Sequence, residues 1–277
     1  MAKLIVCTLG DLLLDVIVRL EQPLESGTDA TAVTRTGAGG QAANVAAWAA
    51  SLGADARFVG KRGEDPAGAL AAAELSSRGV TVLGPVALGR NGVVVSLVGR
   101  DGDRAMASDR GVAPELSADE LERDWFAGCS RLHLSGYSLM SEPIDGAALR
   151  AARCAREVGA TVSVDLASSS VIRGFGSERL RARLDELAPD VVFANEQERE
   201  MLGPTRAAEG QTWVLKRGAA GCVVERGGDR SDFPALPVDV ADTTGAGDAF
   251  AAGYLVGGVE LALQTAARCV SQLGAMP

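Results

Sequence analysis

The sequence predicts an α/β fold: a doubly wound, mainly parallel sheet flanked by helices, with a small second sheet. Short runs of β-formers alternate with alanine-rich runs of helix length along most of the 277 residues, which is the pattern of a parallel sheet covered on both faces. One interval, residues 80–106, breaks that rhythm. There Val93-Val94-Val95-Ser96-Leu97-Val98 and Arg104-Ala105-Met106 are strands joined by the turn Asp101-Gly102-Asp103, a hairpin signal. Apolar residues make up 47% and charged residues 23%, enough to bury a sizeable core, and residues 1–277 are read as a single domain.

The first element is the buried strand Leu4-Ile5-Val6-Cys7. Its apolar run is short and meets Asp11 without a small-residue cleavage site, so it is a strand rather than a signal peptide. The next run, residues 12–18, is apolar except for Asp15. A carboxylate there is costly to bury alone, so it either faces solvent from a strand edge or grips a ligand hydroxyl. Residues 21–36 are polar and turn-rich, with β-formers at Thr31, Val33 and Thr34. Gly37-Ala38-Gly39-Gly40 then leads to a helix that Asn44 opens as N-cap, covering 45–52 and closed by Gly53. A strand over 54–60 and a helix ending at Gly79 follow. Beyond the hairpin, strands are predicted at 132–136, 161–165, 191–194 and 212–215, with helices at 143–158 and 178–187. The segment 13–36, with 82–106, is expected to form the separate small sheet; the plain alternative is an ordinary hairpin in the main sheet.

Several chemistries are excluded on composition. A net charge of −9 argues against nucleic acid as the main partner. No run of about 18 uncharged apolar residues suggests a membrane helix. Five cysteines, odd in number and scattered, read as buried free thiols of a cytoplasmic protein. The lone histidine, His133, lies in an apolar strand and reads as structural, which leaves serine triads and His-based zinc sites without components. No Walker P-loop occurs, and Gly37-Ala38-Gly39-Gly40-Gln41-Ala42 lacks the third glycine of a dinucleotide fingerprint.

The stretch with chemical content is Asp242-Thr243-Thr244-Gly245-Ala246-Gly247-Asp248-Ala249-Phe250, approached by the β-rich Pro237-Val238-Asp239-Val240. A tight turn of small residues entering a helix leaves N–H groups unpaired at the positive end of the helix dipole, an anion site. Asp248 lies in the same first turn, where the dipole should keep it ionised. This combination suits phosphoryl transfer: the Gly245, Ala246 and Gly247 amides hold the transferring group while Asp248 takes a proton from the attacking hydroxyl. The plain alternative is a helix-start acid beside turn glycines.

This stretch resembles the C-terminal signature of the ribokinase-like (PfkB) carbohydrate kinases. Gly39-Gly40-Gln41-Ala42-Ala43-Asn44-Val45-Ala46 resembles their N-terminal signature, about 200 residues earlier. Two signatures in order are more specific than either alone. The resemblance implies a ribokinase-like fold whose small sheet is a lid over the sugar and, in several members, a homodimer contact. It implies ATP as donor, Mg²⁺, and a sugar or nucleoside acceptor. It assigns Asp15, ahead of Asp11, together with Gly39, Gly40 and Asn44, to sugar hydroxyls; Gln41 departs from the lysine of some members.

Asn195-Glu196-Gln197-Glu198 resembles the family's Asn-x-x-Glu motif, so Asn195 and Glu198 would organise Mg²⁺ through water near the ATP phosphates; an acidic first turn is the plain reading. The loop Lys216-Arg217-Gly218-Ala219-Ala220-Gly221 resembles one that touches ATP, through Gly218 and Gly221. Lys216 replaces a frequent threonine, and either meets a phosphate or stays a solvated surface lysine. Asp242 and the Thr244 carbonyl match a monovalent-cation site, with potassium as the candidate, whose remainder falls near Gly274. Asp165, at a strand end, is a further phosphate- or Mg²⁺-side candidate. Arg104, on the lid hairpin, reaches a substrate carboxylate or stays in water. Members usually continue through one more helix, so part of the adenine pocket wall is expected to be missing or supplied differently. The leading reading is an ATP-dependent sugar kinase of the ribokinase, fructokinase or ketodeoxygluconate kinase type. The alternatives are a nucleoside kinase of the same fold and a catalytically silent sugar-binding regulator.

Overall fold

The computed structural model describes residues 3–27, 29–99, 104–203 and 209–277. The chain opens with β1 (Ile5–Leu9), β2 (Leu13–Leu20), β3 (Ala32–Gly39), α1 (Gln41–Ser51), β4 (Asp55–Val59), β5 (Arg62–Gly63), α2 (Pro66–Ser77), β6 (Val80–Leu83) and β7 (Val86–Ala87). The middle holds β8 (Asn91–Val98), β9 (Arg104–Gly111), β10 (Arg131–Ser135), α3 (Ile144–Glu157), β11 (Thr161–Asp165), α4 (Ser169–Phe175) and α5 (Ser177–Leu187). It closes with β12 (Val191–Asn195), α6 (Glu196–Leu202), β13 (Thr212–Lys216), β14 (Cys222–Arg226), β15 (Asp229–Phe233), α7 (Ala246–Gly257) and α8 (Val259–Val270).

Nine strands form the main sheet in the order β15-β14-β13-β12-β11-β10-β1-β4-β6. From β13 to β6 every pair is parallel, and β14 and β15 add an antiparallel edge. The winding reverses between β1 and β10, so the carboxyl ends of those two strands flank the crevice where ligands bind in open α/β sheets. One face carries α3, α5 and α6 over Leu132, Leu134, Val162 and Val192. The other carries α1, α2 and α7 over Val6, Phe58 and Phe193. Alanines let α1 lie close to the sheet: its residues 42–49 are all buried.

β3, β2, β8 and β9 form a separate sheet. β2–β3 and β8–β9 are antiparallel, whereas β2–β8 is parallel. Side chains of Asn91 and Glu74 brace it against the main body. Asn91 Nδ2 donates to the Leu12 carbonyl (3.1 Å) and its Oδ1 accepts from Gly63 N (3.1 Å). Glu74 of α2 accepts from Ala38 N (2.7 Å).

Some element expectations need correction. Residues 80–83 are an edge strand of the main sheet, and the last strand of the small sheet continues to Gly111. The turn Asp101-Gly102-Asp103 lies outside the described residues. The helix at the N-terminal signature starts at Gln41 with Gly40 as N-cap, so Asn44 is a helical residue and not the cap. Its N–H bonds the Gly40 carbonyl (2.9 Å), which leaves its side chain for other work. Pro237-Val238-Asp239-Val240 forms no strand: two of its four residues, Pro and Asp, are poor ladder members. All five cysteines are free, and Cys154 is only half-buried. Among the described residues no helix is long and apolar enough to cross a membrane.

Candidate active site

Two loops from opposite ends of the chain meet at the switch point. After β3 the backbone turns at Gly39-Gly40, and both glycines are required by space. A Cβ on Gly39 would lie 2.2 Å from the Asp15 carboxyl carbon, and Gly40, at φ +102°, would push one 2.3 Å from the Asp11 carbonyl oxygen. Asp15 is therefore seated against bare backbone. α1 then delivers Asn44 to Asp248: Asn44 Nδ2 donates to Asp248 Oδ2 at 2.7 Å, across 204 residues of sequence. The other Asn44 atom, Oδ1, is buried with no partner. Buried polar atoms are normally bonded, so this one is an acceptor available to a ligand hydroxyl.

Gly245 opens α7 in the left-handed region (φ +76°). Gly247 and Asp248 follow in the first turn, whose N–H groups have no intrahelical acceptor. Burial, and not the helix end alone, bears on the charge of Asp248. Burial pushes its carboxyl up to about 7, the nearby Asp165 and Asp15 add to the rise, and the Asn44 bond and the Lys216 ammonium oppose it. Burial disfavours the charged form of a carboxyl.

Asp165, Asn195 and Lys216 end the neighbouring strands β11, β12 and β13. Asp165 is 1% exposed and accepts from Ala167 N (3.2 Å). Lys216 Nζ pairs with Asp165 Oδ2, so the surface reading of this lysine is excluded. Asn195 and Glu198 form a reciprocal capping box: Glu198 N donates to Asn195 Oδ1 (2.8 Å) and Asn195 N to Glu198 Oε2 (2.9 Å). Asn195 Nδ2 also holds Glu198 Oε1 (2.8 Å). Burial raises the Glu198 pKa, with Asp165 adding to the rise and Lys216 opposing it. Among the described residues no three His, Cys, Asp or Glu groups converge as a metal cage. The lone pairs left on Glu198 and Asp165 fit Mg²⁺ held mainly by phosphate and water.

Asp242 Oδ1 accepts from Thr244 N (2.9 Å) and Thr244 Oγ1 (2.6 Å), and Oδ2 accepts from Gly274 N (3.1 Å). The three residues matched to a cation site thus do converge. The Thr244 carbonyl takes a bond from the Cys269 thiol (3.4 Å).

A cleft of about 540 Å³ opens beside the α7 loop. Lys216, Gly218, Gly221 and Gly247 form its polar end, and Val240, Leu263 and Ala267 are among its apolar lining. α8 contributes Leu263, Ala266, Ala267 and Val270 to its wall. A second cleft of about 390 Å³ lies between Asp15, α2 and residues 272–277.

Sequence reasoning missed Arg110 and Tyr137. Asp11 is committed to Arg110, with Nε–Oδ2 at 2.5 Å and Nη2–Oδ1 at 3.0 Å, and the guanidinium lies 5.8 Å from the Tyr137 ring. Tyr137 lies just after β10 at the switch point, a location that could have flagged it; Arg110 left no signal, because the predicted strand stopped at Met106 and the observed one runs to Gly111. Gln41 accepts from Ser135 Oγ (2.5 Å) and so belongs to the crevice wall. The Arg104 backbone is in β9, and its side chain lies outside the described residues. His133 is structural, as expected: fully buried, 3.0 Å from Ser163 Oγ, with burial lowering its pKa to about 4.

The pfkB family carbohydrate kinase model matches residues 3–276. The chain belongs to that family of carbohydrate kinases. It is 34% identical over 271 residues to the ATP-dependent ribose-1-phosphate kinase of Halopiger xanaduensis, covering 92% of this chain and 86% of that one. It is 32% identical over 236 residues to fructokinase-1 of Zea mays, covering 78% and 72%. Adenosine kinase from Sinorhizobium meliloti superposes with a TM-score of 0.85 at 27% identity, covering 100% of this chain and 96% of that structure. The ribokinase-like architecture expected from the two signatures is therefore present, as is the separate small sheet.

Proposed function

We propose that this kinase transfers the γ-phosphoryl group of ATP to a hydroxyl of a sugar or sugar-like acceptor, with Asp248 as general base. One observation carries the reading: Asp248 shares the first turn of α7 with the anion loop, between the cleft that meets Lys216 and the end of the chain that presents Asn44 and Asp15. A carboxyl held near 7 is well matched to accepting a proton at neutral pH. The Gly245 and Gly247 amides face developing negative charge on the transferring group, with Ala246 N, which donates to the Thr243 carbonyl (3.3 Å), between them. Asn44 orients Asp248 through Nδ2 and accepts from the acceptor through Oδ1. Asp15, with Gly39 and Gly40, holds acceptor hydroxyls. Asn195, Glu198 and Asp165 would hold Mg²⁺, which would supply charge neutralisation on the phosphates. Asp242 and Thr244 would carry a potassium ion beside the loop, tested by activity in potassium against tetramethylammonium salts.

The names of the relatives support both sugar and nucleoside acceptors. Arg110, fixed by Asp11 near Tyr137, favours acceptors with an anionic substituent, and the ribose-1-phosphate kinase relative points the same way. The small sheet closes over the acceptor as a lid. Its exposed Val33 and Met106 suit a homodimer contact, which sedimentation at varied concentration tests. The deciding experiment is ADP release from ATP with ribose, ribose 1-phosphate, fructose, 2-keto-3-deoxygluconate, adenosine and cytidine, comparing wild type with Asp248→Asn. The expected result is turnover of one acceptor class and a loss of roughly 10²–10⁴-fold in the variant. Binding without phosphorylated product across the panel would favour the silent regulator. Full turnover by Asp248→Asn would remove Asp248 from its role.

A further inference from the structure

Lys216 stands where the chain departs from a frequent threonine, and its geometry gives that departure a purpose. Three features locate its ammonium. It pairs with Asp165 Oδ2 at the end of β11, two strands away across β12. It lies 3.1 Å from the point where a Cβ on Gly247 would stand, so it rests directly over the anion loop. It lines the 540 Å³ cleft at the same end as Gly247. The acidic side chains around it are Asp165, Glu198 and Asp248, and all three favour its charged form against the opposing effect of burial. A buried ion pair alone is a weak source of stability. An ammonium placed over the phosphoryl-holding loop is better explained by what the loop holds.

We infer that Lys216 is a catalytic residue, its ammonium touching the non-bridging oxygens of the transferring phosphoryl group alongside the Gly247 amide while Asp165 keeps it in place. This rests on the kinase reading above. In the step, a bond forms between the acceptor oxygen and the γ-phosphorus, and the bond from that phosphorus to the β–γ bridging oxygen breaks. The acceptor proton goes to Asp248, and ADP leaves with the bridging oxygen and its electron pair. Lys216 keeps its proton throughout. Its contribution is fixed positive charge where negative charge is redistributed, the same kind of contribution that makes one oxyanion donor worth about 10²–10³-fold in turnover.

The test uses Lys216→Met, which keeps the stem and removes the charge, and Lys216→Arg. A double variant, Lys216→Met with Asp165→Asn, is read for Tm alone, because Asp165 also belongs to the Mg²⁺ side; it shows whether an unpaired Asp165 costs the fold. Three quantities are read: kcat, the affinities for ADP and for a non-hydrolysable ATP analogue by calorimetry, and Tm. The expected outcome is a kcat loss of about 10²–10³-fold in Lys216→Met, with partial rescue in Lys216→Arg. Affinity for the ATP analogue should fall about tenfold or more beyond any fall for ADP, because only the analogue carries the γ-group. A folded Met variant with kcat within about threefold of wild type, or equal losses for ADP and the analogue, would overturn the assignment. Absence of turnover in wild type would count against the kinase reading itself. The difference between ADP and the analogue would still decide whether Lys216 meets the γ-phosphoryl.

Discussion

Asn44→Ala isolates the contact that tunes the proposed base. Asn44 Nδ2 donates to Asp248 Oδ2 at 2.7 Å and opposes the burial that pushes this carboxyl up to about 7. A hydrogen bond to a charged group is worth about 1.5–3 kcal/mol, and 1.36 kcal/mol corresponds to one pH unit. Removing it should therefore raise the Asp248 pKa by about one to two units. The sign follows from the role: a general base works deprotonated, so activity rises with pH through its pKa. The profile of kcat/KM, which reports ionisations of the free enzyme, should show an acid limb near pH 7 in wild type. In Asn44→Ala the limb should move to about pH 8–9, so the deficit is largest at neutral pH and shrinks in alkali. Loss of the Oδ1 contact to the acceptor would add a pH-independent factor, visible on the plateau. An acid limb that stays in place or moves downward would refute the coupling between these two side chains.

Other outcomes follow from single contacts. Gly39→Ala places a Cβ 2.2 Å from the Asp15 carboxyl carbon; the displaced carboxylate should raise the acceptor KM and leave the ATP KM unchanged in steady-state kinetics. Asp248→Asn should be more heat-stable than wild type at pH 8 and no more stable near pH 4. The folded carboxyl keeps its proton up to about 7 while the unfolded one loses it near 4; wild-type stability from this group therefore falls as pH rises through that window, and Tm against pH measures it. Trp48→Phe removes the buried Nε1 bond to the Ala275 carbonyl (2.8 Å) and should cost about 1–3 kcal/mol in urea unfolding. Ala267→Phe fills the apolar part of the 540 Å³ cleft; the ATP KM should rise with little change for the acceptor.

The sequence carried the sheet well because its inner strands are short apolar runs between turn residues, which is how buried parallel strands read. β14 and β15 were missed because Arg226, Asp229, Arg230 and Asp232 give this edge hairpin a polar pattern; Gly227-Gly228 between them was the available signal. The two glycine loops were legible because each is local. What joins them is not: the Asn44–Asp248 bond spans 204 residues, and the pairing of Asp11 with Arg110 spans 99. The burial of Asp248 was not legible for the same reason. The dipole is a property of the helix it begins, whereas its desolvation comes from elements elsewhere in the chain.

The most direct test of the central claim is a crystal structure of the complex with acceptor, Mg²⁺ and a non-hydrolysable ATP analogue. The account predicts the acceptor hydroxyl within about 2.6–3.2 Å of an Asp248 carboxylate oxygen, and the terminal phosphate on the Gly245–Gly247 amides. A hydroxyl that reaches some other base, or a terminal phosphate seated away from that loop, would contradict it.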